Sequence, residues 1–531
     1  MAQIPNKTDS HVRFLTFNVN GLRTFFHYHP FSSMNNSLTK VFDYFQSDII
    51  TFQELKTDLP ALTRWGKTRH FHSFISIPVK RRGYSGVGCW VRIVDPGDPL
   101  FDILQVVKAE EGITGYLKIK AGKSSVRYRD AKDIGIGGYD LLGISDENEA
   151  LALDSEGRCV MVELKCNTVI VNTYCPANSS QTDEGEEFRL KFLKVLFRRI
   201  RNLHNAGKIV VLMGDINVCR DLIDQAEALK NAGVMVTALT KGSSVESSNP
   251  EAVKDFIYAP SRPARRLLNE MLIDSKVPEL ATSGALIDTT RFIQGGDRLK
   301  MYTVWNTLKN SRPINYGSRI DFIFVSATMR DQIEQADIWP QVMGSDHCPV
   351  YADMRLQAST NTISTGPMTL PPFEARFKHN LNNRDITSMF RQASTAREGS
   401  TISRQSDNRV TKAATDKRQR QASIAAALQD HSAKVRKPMD ADADADSDAD
   451  LVGNDSTLSM QPAIPAKESK SFFKMLNGIL DKPPECKHGE PTILRTSKTQ
   501  NNPGKKFWVC SRPKGDANDE NASCGFFQWK C

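Results

Sequence analysis

Between His11 and about Leu356 the chain alternates short β-branched or aromatic runs with helical stretches, and its strand-like runs end on polar residues. Phe14–Phe17, Ile49–Phe52, Val160–Leu164, Thr168–Thr173, Ile209–Met213 and Ile320–Val325 are runs of four to six residues bounded by turn formers. Glu186–His204 instead carries Phe188, Phe192, Val195, Leu196, Ile200 and Leu203 at helical spacing, with Lys and Arg on the other face. Strands and helices mixed over these residues predict a layered α/β domain with two sheets and helices outside.

Past Leu356 the character changes. Residues 357 to about 465 are rich in Ser, Thr, Asn, Gln and Ala and poor in large apolar side chains, too little to offset the entropy of ordering. Residues 357–484 are therefore expected to be a disordered linker. It carries the basic clusters Lys417–Arg420 and Lys434–Lys437, readable as nuclear-import signals or as solvated charge, and an acidic repeat over Asp440–Asp450. Residues 485–531 are rich in Cys and aromatics, and so short a segment rarely folds on burial alone, so a metal is expected.

The formal charge of +9, from 70 Lys and Arg against 61 Asp and Glu, favours an acidic partner such as nucleic acid. No run approaches the roughly 18 apolar residues of a membrane span, so no membrane partner is expected. The polar start MAQIPNKTDS predicts no signal peptide. Ten cysteines are too few for a secreted disulfide scaffold and fit a reducing compartment, cytosol or nucleus.

Six polar patches sit beside predicted strands: Phe17–Gly21, Thr51–Lys56, Thr173–Pro176, Gly214–Val218, Gly317–Asp321 and Gly344–Pro349. Any one alone is ordinary turn chemistry. Together, Glu54, Asp215 and Asp346 with the amides of Asn18 and Asn217 make the oxygen-rich set that Mg2+ or Mn2+ takes. His347 and a possible carboxylate partner, Asp321, complete the parts for metal-assisted phosphoester hydrolysis.

In this order, FNVNGLR, DIITFQELK, NTYCPAN, GDINV, SRIDF and GSDHCP resemble the exonuclease III/AP endonuclease branch of the endonuclease–exonuclease–phosphatase superfamily, over about Val12 to Leu356. Leu153–Arg158, Tyr174–Pro176 and Asn315–Arg319 resemble a subgroup of that branch with a C-terminal appendage. The resemblance implies the four-layered α/β sandwich of the DNase I type over residues 11–356. It also implies a metal site at Glu54 with Asn18 and Asp346, joined by Asp215, Asn217 and His347. Asp215 would orient or deprotonate the attacking water, and Asn217, Tyr174 and His347 would contact the phosphate, with Asp321 orienting the imidazole. Trp305 is expected to face DNA. Three departures stand out: Asn20 replaces an aspartate of the main branch, Ala177 an asparagine, and Val304 an aromatic. They weigh against strong abasic-site incision more than against processing of 3′ ends. His27 and His29 read as loop residues, and Arg81 and Arg82 as a DNA-facing loop or a plain turn.

In the tail, Cys486, His488, Cys510 and Cys524 match a closed structural Zn2+ site. Phe507, Trp508, Phe526, Phe527 and Trp529 interleave with Lys505, Lys506 and other cations, the composition single-stranded nucleic acid needs. The segment resembles the GRF zinc finger, with Gly504-Lys505-Lys506-Phe507 in place of its Gly-Arg-x-Phe. Lysine keeps the charge and loses the planar fork. Phe472-Phe473 resembles a degenerate sliding-clamp (PCNA) motif, with Ala466 and Ser469 in its first two slots; Gln421 with Ile424 is a second candidate without the aromatic pair.

The expectation is a nuclear enzyme of base excision repair, acting on DNA as AP endonuclease, 3′–5′ exonuclease and 3′-phosphodiesterase. One rival is a phosphatase of the same superfamily acting on inositol phosphates or lipids. The other is a catalytically dead DNA-binding scaffold.

Overall fold

The computed structural model describes residues 5–79, 83–179, 181–358, 369–381, 484–490, 492–497, 505–510, 512 and 523–529. Arg81, Arg82, both basic clusters, the acidic repeat and Phe472-Phe473 lie outside these residues.

Strand β1 (Val12–Asn18) is buried along its whole length. Its alternate side chains serve two cores: Val12 and Phe14 face one, Leu15 and Phe17 the other. A strand covered on both faces reads as an unbroken apolar run, which is why these segments stood out in the sequence. The same holds for Ile209–Asp215, where Val211 and Met213 share a core with Phe14 while Val210 and Leu212 face away.

Twelve strands build the sandwich: β1, β2 (Ile49–Gln53), β3 (Phe71–Ser76), β4 (Val87–Arg92), β5 (Val106–Glu111), β6 (Cys159–Leu164), β7 (Thr168–Tyr174), β8 (Ile209–Asp215), β9 (Leu286–Asp288), β10 (Asp321–Ser326), β11 (Ile333–Ile338) and β12 (Val350–Met354). One sheet has the order β11-β12-β1-β2-β4-β3, the other β9-β10-β8-β7-β6-β5. Their inner faces meet in one apolar core. A polar bridge crosses it: Gln53 Nε2 donates to Asn172 Oδ1 at 2.8 Å, and Asn172 Nδ2 donates to the Gly88 carbonyl at 2.9 Å.

Helices cover the outer faces. Helix α1 (Leu38–Phe45) lays Val41, Phe42 and Phe45 on the first sheet, and α2 (Asp183–Asn205) lays Phe192, Leu196, Ile200 and Leu203 on the second. Thr182 caps α2 by accepting the Gly185 N–H at 3.1 Å, and Asp183, Glu184 and Glu186 in its first turn suit the helix dipole. The four-layered α/β sandwich is the expected one.

Two features differ from the sequence reading. Short helices form an insert: α3 (Pro250–Tyr258) lies in an apolar cluster of its own around Val253, Phe256 and Ile257, while α4 (Pro263–Asn269) turns Ala264 and Leu268 into the core beneath α2. The domain also does not stop at Leu356. Phe373 is fully buried in the inter-sheet core, Ala375 and Leu381 pack on the outer face of the first sheet, and Glu374 accepts the Ser73 N–H at 3.4 Å. Three apolar residues in a polar stretch suffice because the domain supplies the surface they bury, which composition alone does not show. Residues 484–529 belong to a separate unit.

Candidate active site and zinc centre

Strand direction gathers the site. Asn18 ends β1, and Glu54 follows the parallel β2. Tyr174 and Asp215 end the parallel neighbours β7 and β8, and Asp321 opens the antiparallel β10 opposite Asp215. Asp346 and His347 precede β12, which runs antiparallel to β1, so they come to the same edge. Glu54 and Asn217 hold left-handed backbones, φ 50° and 55°, a conformation uncommon for glutamate and concentrated at functional sites.

Glu54, Asp215 and His347 each bring a ligand atom within 4.8 Å of the others. Asn18 Nδ2 donates to Glu54 Oε1 at 2.8 Å and to Asp215 Oδ2 at 2.9 Å, while its Oδ1 accepts the Asn20 N–H at 3.0 Å. Asn18 thus bridges two carboxylates through Nδ2, while Oδ1 accepts one hydrogen bond and keeps a second lone pair. Asp346 stands outside the cluster, accepting from Asn20 Nδ2 and Ser345 Oγ, each at 3.0 Å. Asn20 also accepts from Lys56 Nζ, which pairs with Glu54 at 3.0 Å. An amide can link an acid to an ammonium in this way; an aspartate could not donate to Asp346.

His347 Nδ1 lies 2.8 Å from Asp321 Oδ2, and its Nε2 lies 4.0 Å from Asp215. Burial pushes the imidazole pKa down, but the carboxylates around it, Asp321 first and then Asp346 and Asp215, together outweigh burial and hold it up at about 10. Asp215 is pushed up to about 8, by burial first and then by Asp321. Asp321 Oδ1 is buried without a hydrogen-bond partner. Carboxylates thus outnumber the cations among them, and the carboxylate oxygens of Glu54 and Asp215 fit a hard divalent ion.

Asn217 donates its backbone N–H to Asp215 Oδ1 at 2.9 Å and its Nδ2 to the Cys175 carbonyl at 2.8 Å. Burial, then Glu54, keeps the Tyr174 hydroxyl protonated and able to donate. Behind it lies Arg158, 4.8 Å from the Tyr174 ring and 5.3 Å from the Tyr84 ring, bonded to the Tyr84 hydroxyl and, at 3.2 Å, to the Tyr174 carbonyl. Trp305 is only 3% exposed; its Nε1 donates to Asn315 Oδ1 and its backbone N–H to the Asp346 carbonyl. It braces the Asp346 loop and offers little surface to DNA, the contact expected of it.

Gly214 sets Asp215. Its φ is +135°, and an added Cβ would stand 2.1 Å from the Thr173 carbonyl oxygen in the neighbouring strand. Gly214→Ala is expected to lower stability by about 2–4 kcal/mol. Thermal unfolding of the two proteins at one protein concentration checks this, and an unchanged melting temperature would contradict it.

In the tail, Ile493–Thr496, Lys506–Val509 and Phe527–Trp529 form a three-stranded antiparallel sheet. His488 Nδ1 lies 3.6 Å from Cys486 Sγ and 3.5 Å from Cys510 Sγ, and Cys524 completes a cluster within 4.8 Å. A tetrahedral zinc with S–Zn bonds of about 2.3 Å needs such ligand spacings. Hydrogen bonding, from the Arg512 backbone first, lowers the Cys510 thiol to about 6 and favours the thiolate. Phe507, Phe527 and Trp529 cluster with ring centroids 4.9–5.5 Å apart, and Phe527 and Trp529 remain 52% and 38% exposed. Trp508, one residue on, projects to the opposite face of its strand.

Residues 15–347 match the Endonuclease/Exonuclease/phosphatase family. The chain belongs to that family. Residues 484–530 match the GRF zinc finger. Over 528 residues the chain is 50% identical to the DNA-(apurinic or apyrimidinic site) endonuclease 2 of Saccharomyces cerevisiae, covering 99% of this chain and 98% of the relative. The protein of the same name from Schizosaccharomyces pombe is 29% identical over 560 residues, with 98% of each chain covered. The crystal structure of the Xenopus laevis APE2 catalytic domain superposes with a TM-score of 0.52 at 24% identity, covering 71% of this chain and 100% of that one, a likeness of fold. The subgroup that Leu153–Arg158 resembled is therefore AP endonuclease 2.

Within the family frame, three residues of this site had no role in the sequence reading. Lys56 lay inside the quoted FQELK, and Arg158 inside the string Leu153–Arg158, without a function attached. Tyr84 was not singled out. Asn178, one position after the asparagine slot, does not serve the site. Its Oδ1 accepts the Thr182 N–H and its Nδ2 donates to the Thr182 carbonyl, both at 3.2 Å, where α2 begins.

Proposed function

We propose that the chain adds water across the P–O3′ bond of DNA at abasic sites and at 3′ ends, leaving a 3′-hydroxyl and a 5′-phosphate. It is a DNA repair nuclease of a metal-dependent family, and DNA is its substrate partner. The observation that carries the reading is the cluster of Glu54, Asp215 and His347 at one edge of the sandwich, with Asp321 behind the imidazole.

Asp215 takes the proton of the attacking water. The Asp321-held imidazolium of His347, the Tyr174 hydroxyl and the Asn217 amide donate to the non-bridging phosphate oxygens, where negative charge grows. Glu54 and Asp215, with His347 beside them, would hold Mg2+ or Mn2+, and the ion would supply positive charge for the pentavalent phosphate and the leaving 3′ oxygen. Asn18 and Asp346 support this shell from behind. The GRF finger holds single-stranded DNA on Phe507, Phe527 and Trp529, with Trp508, Lys505 and Lys506 on the same module. Phe472-Phe473 docks the sliding clamp, and the chain works in the nucleus.

Asp321→Asn is expected to lower kcat at least about a hundredfold, because the imidazole loses the charge that keeps it protonated. Steady-state cleavage of an abasic-site duplex measures this; a fall of less than threefold would show that His347 does not need Asp321. The substrate class is tested by incubating the protein with a gapped DNA duplex and, separately, an inositol polyphosphate. Degradation of the duplex alone supports the nuclease, and phosphate release from the inositol supports the phosphatase rival.

A further inference from the structure

Between β11 and β12, residues 339–349 lie outside helix and strand, and this loop carries Asp346 and His347. Such a loop has no ladder to take up its carbonyls, so the buried ones need donors from elsewhere. Arg312 supplies them. Its Nη1 donates to the Ser345 carbonyl at 2.8 Å and the His347 carbonyl at 3.2 Å. Its Nη2 donates to the Val342 carbonyl at 2.8 Å and the Pro340 carbonyl at 3.0 Å. The hydrogens of two nitrogens are thus spent on the backbone of one loop. The Asp346 carbonyl, between the two that Nη1 holds, accepts the Trp305 N–H at 3.1 Å. The carbonyls of Ser345, Asp346 and His347 are therefore all held from one neighbouring segment, which the sequence reading did not connect with them.

The guanidinium is itself held in place. It lies over the Trp305 ring, 4.5 Å from the centroid, and Trp305 Nε1 donates to Asn315 Oδ1 at 3.0 Å. The Arg312 carbonyl accepts the Asn315 N–H at 2.9 Å, and the Asn306 carbonyl accepts the Ser311 N–H at 3.0 Å, so the segment that bears the arginine is closed on itself. A lysine does not reproduce this grip. Its ammonium gathers its donors on one atom, whereas the planar fork spreads them over two nitrogens that reach different parts of the loop.

The His347 ring bonds to Asp321 through Nδ1, and the direction of Nε2, 4.0 Å from Asp215, then follows from where the backbone places the residue. A misplacement of about 1 Å at a reacting group can cost about a hundredfold in rate. We infer that Arg312 is a positioning residue for phosphodiester cleavage, which aims His347 by gripping the carbonyls of Ser345 and His347; this assignment rests on reading the Glu54, Asp215 and His347 cluster as the DNA-cleaving site. Arg312 acts through His347 rather than on the substrate.

The test is a double-mutant cycle in the full-length protein: Arg312→Gln, Arg312→Lys, His347→Ala, and each Arg312 variant combined with His347→Ala. Cleavage of a labelled duplex with one abasic site is followed at saturating Mg2+, in steady state and in single turnover, with thermal unfolding on the same preparations. Arg312→Gln is expected to lower kcat about a hundredfold and Arg312→Lys about tenfold, with KM changed less than about twofold. On top of His347→Ala, either change should cost less than about threefold more, because nothing is left to aim. A merely structural arginine would instead cost as much in both backgrounds, and that result would overturn the inference. A rise in KM at unchanged kcat would overturn it too, by making Arg312 a DNA-binding residue. Wild-type turnover by Arg312→Lys would show that charge and not the fork matters, which also contradicts the grip. Should Arg312→Gln fail to fold, the cycle with Arg312→Lys decides alone. Each of these outcomes leaves the nuclease reading intact. A wild-type protein unable to incise the duplex, or His347→Ala with undiminished turnover, would overturn that reading itself.

Discussion

Asp215→Asn and Glu54→Gln are each expected to cut strand cleavage at least about a thousandfold while the domain stays folded. Both changes keep shape and remove a charge at the point where the chemistry needs it. In the proposed mechanism Asp215 is the base, and a positioned base contributes roughly 10²–10⁴-fold; Glu54 carries the partly exposed carboxylate of the cluster. Stability should move the other way or hardly at all. In the folded protein Asp215 is a buried carboxylate beside Asp321, and its raised pKa shows that ionising it there is unfavourable. The asparagine loses one acceptor, to Asn18 or to the Asn217 N–H, but no longer carries that charge. Its melting temperature should stay within a few degrees of the wild type. Single-turnover cleavage and thermal unfolding on the same preparations check both halves. Near-wild-type turnover by either variant would dissolve the assignment of the active centre, and a collapse of the melting temperature would make these residues structural.

The second large effect separates the tail from the chemistry. Cys510→Ser removes one of four clustered Cys and His side chains from a unit whose described strands are short and whose aromatic cluster is partly exposed. In small zinc modules metal binding is folding energy, about 10–16 kcal/mol, so the variant should release zinc and melt the tail. Single-strand binding should weaken in a salt-dependent way, because stacking rings and lysines are lost together. Incision of a short abasic duplex should be nearly unchanged, since the active-site cluster lies wholly in the first unit. Extended 3′–5′ resection beside a single-stranded gap should slow severalfold, because a tethered finger raises the local concentration of the strand. Zinc release is read by a chelating dye, and the two nuclease assays are run at one salt concentration. Equal slowing of both reactions would mean that the finger supports the catalytic fold; no slowing of either would leave it a protein-docking module.

The strands were legible because burial on both faces turns each into a short unbroken apolar run, and the charged ends of those runs betrayed the site. Asp215 after Ile209–Met213 and Glu54 after Ile49–Phe52 needed no more than that. The cluster of Cys486, His488, Cys510 and Cys524 was legible because Cys and His in a short, core-poor segment have few other uses. Contacts between distant segments were not. Nothing near Phe373 announces that it fills the inter-sheet core. Arg158 shows its use only when Tyr84 and Tyr174 close around it. The individual tasks of Asn18 and Trp305 depend on hydrogen-bond geometry: one bridges Glu54 and Asp215, the other braces the Asp346 loop. A residue type and a strand end place a side chain at the site without saying which neighbour it will serve. The insert around α3 and α4 was hidden for another reason, since its short helices carry too few turns for a clear 3.6-residue pattern.

The central claim is that the edge formed by Glu54, Asp215 and His347 hydrolyses DNA with a divalent cation. The most direct measurement follows the full-length protein on a 5′-labelled duplex bearing one abasic site, with Mg2+, with Mn2+ and with a chelator, resolving the labelled products by size and end group. The account predicts a single incision 5′ to the site that leaves a 3′-hydroxyl, present with a divalent ion and lost with the chelator. Cleavage that persists in chelator, or a product ending in an unsaturated sugar aldehyde rather than a 3′-hydroxyl, would contradict it.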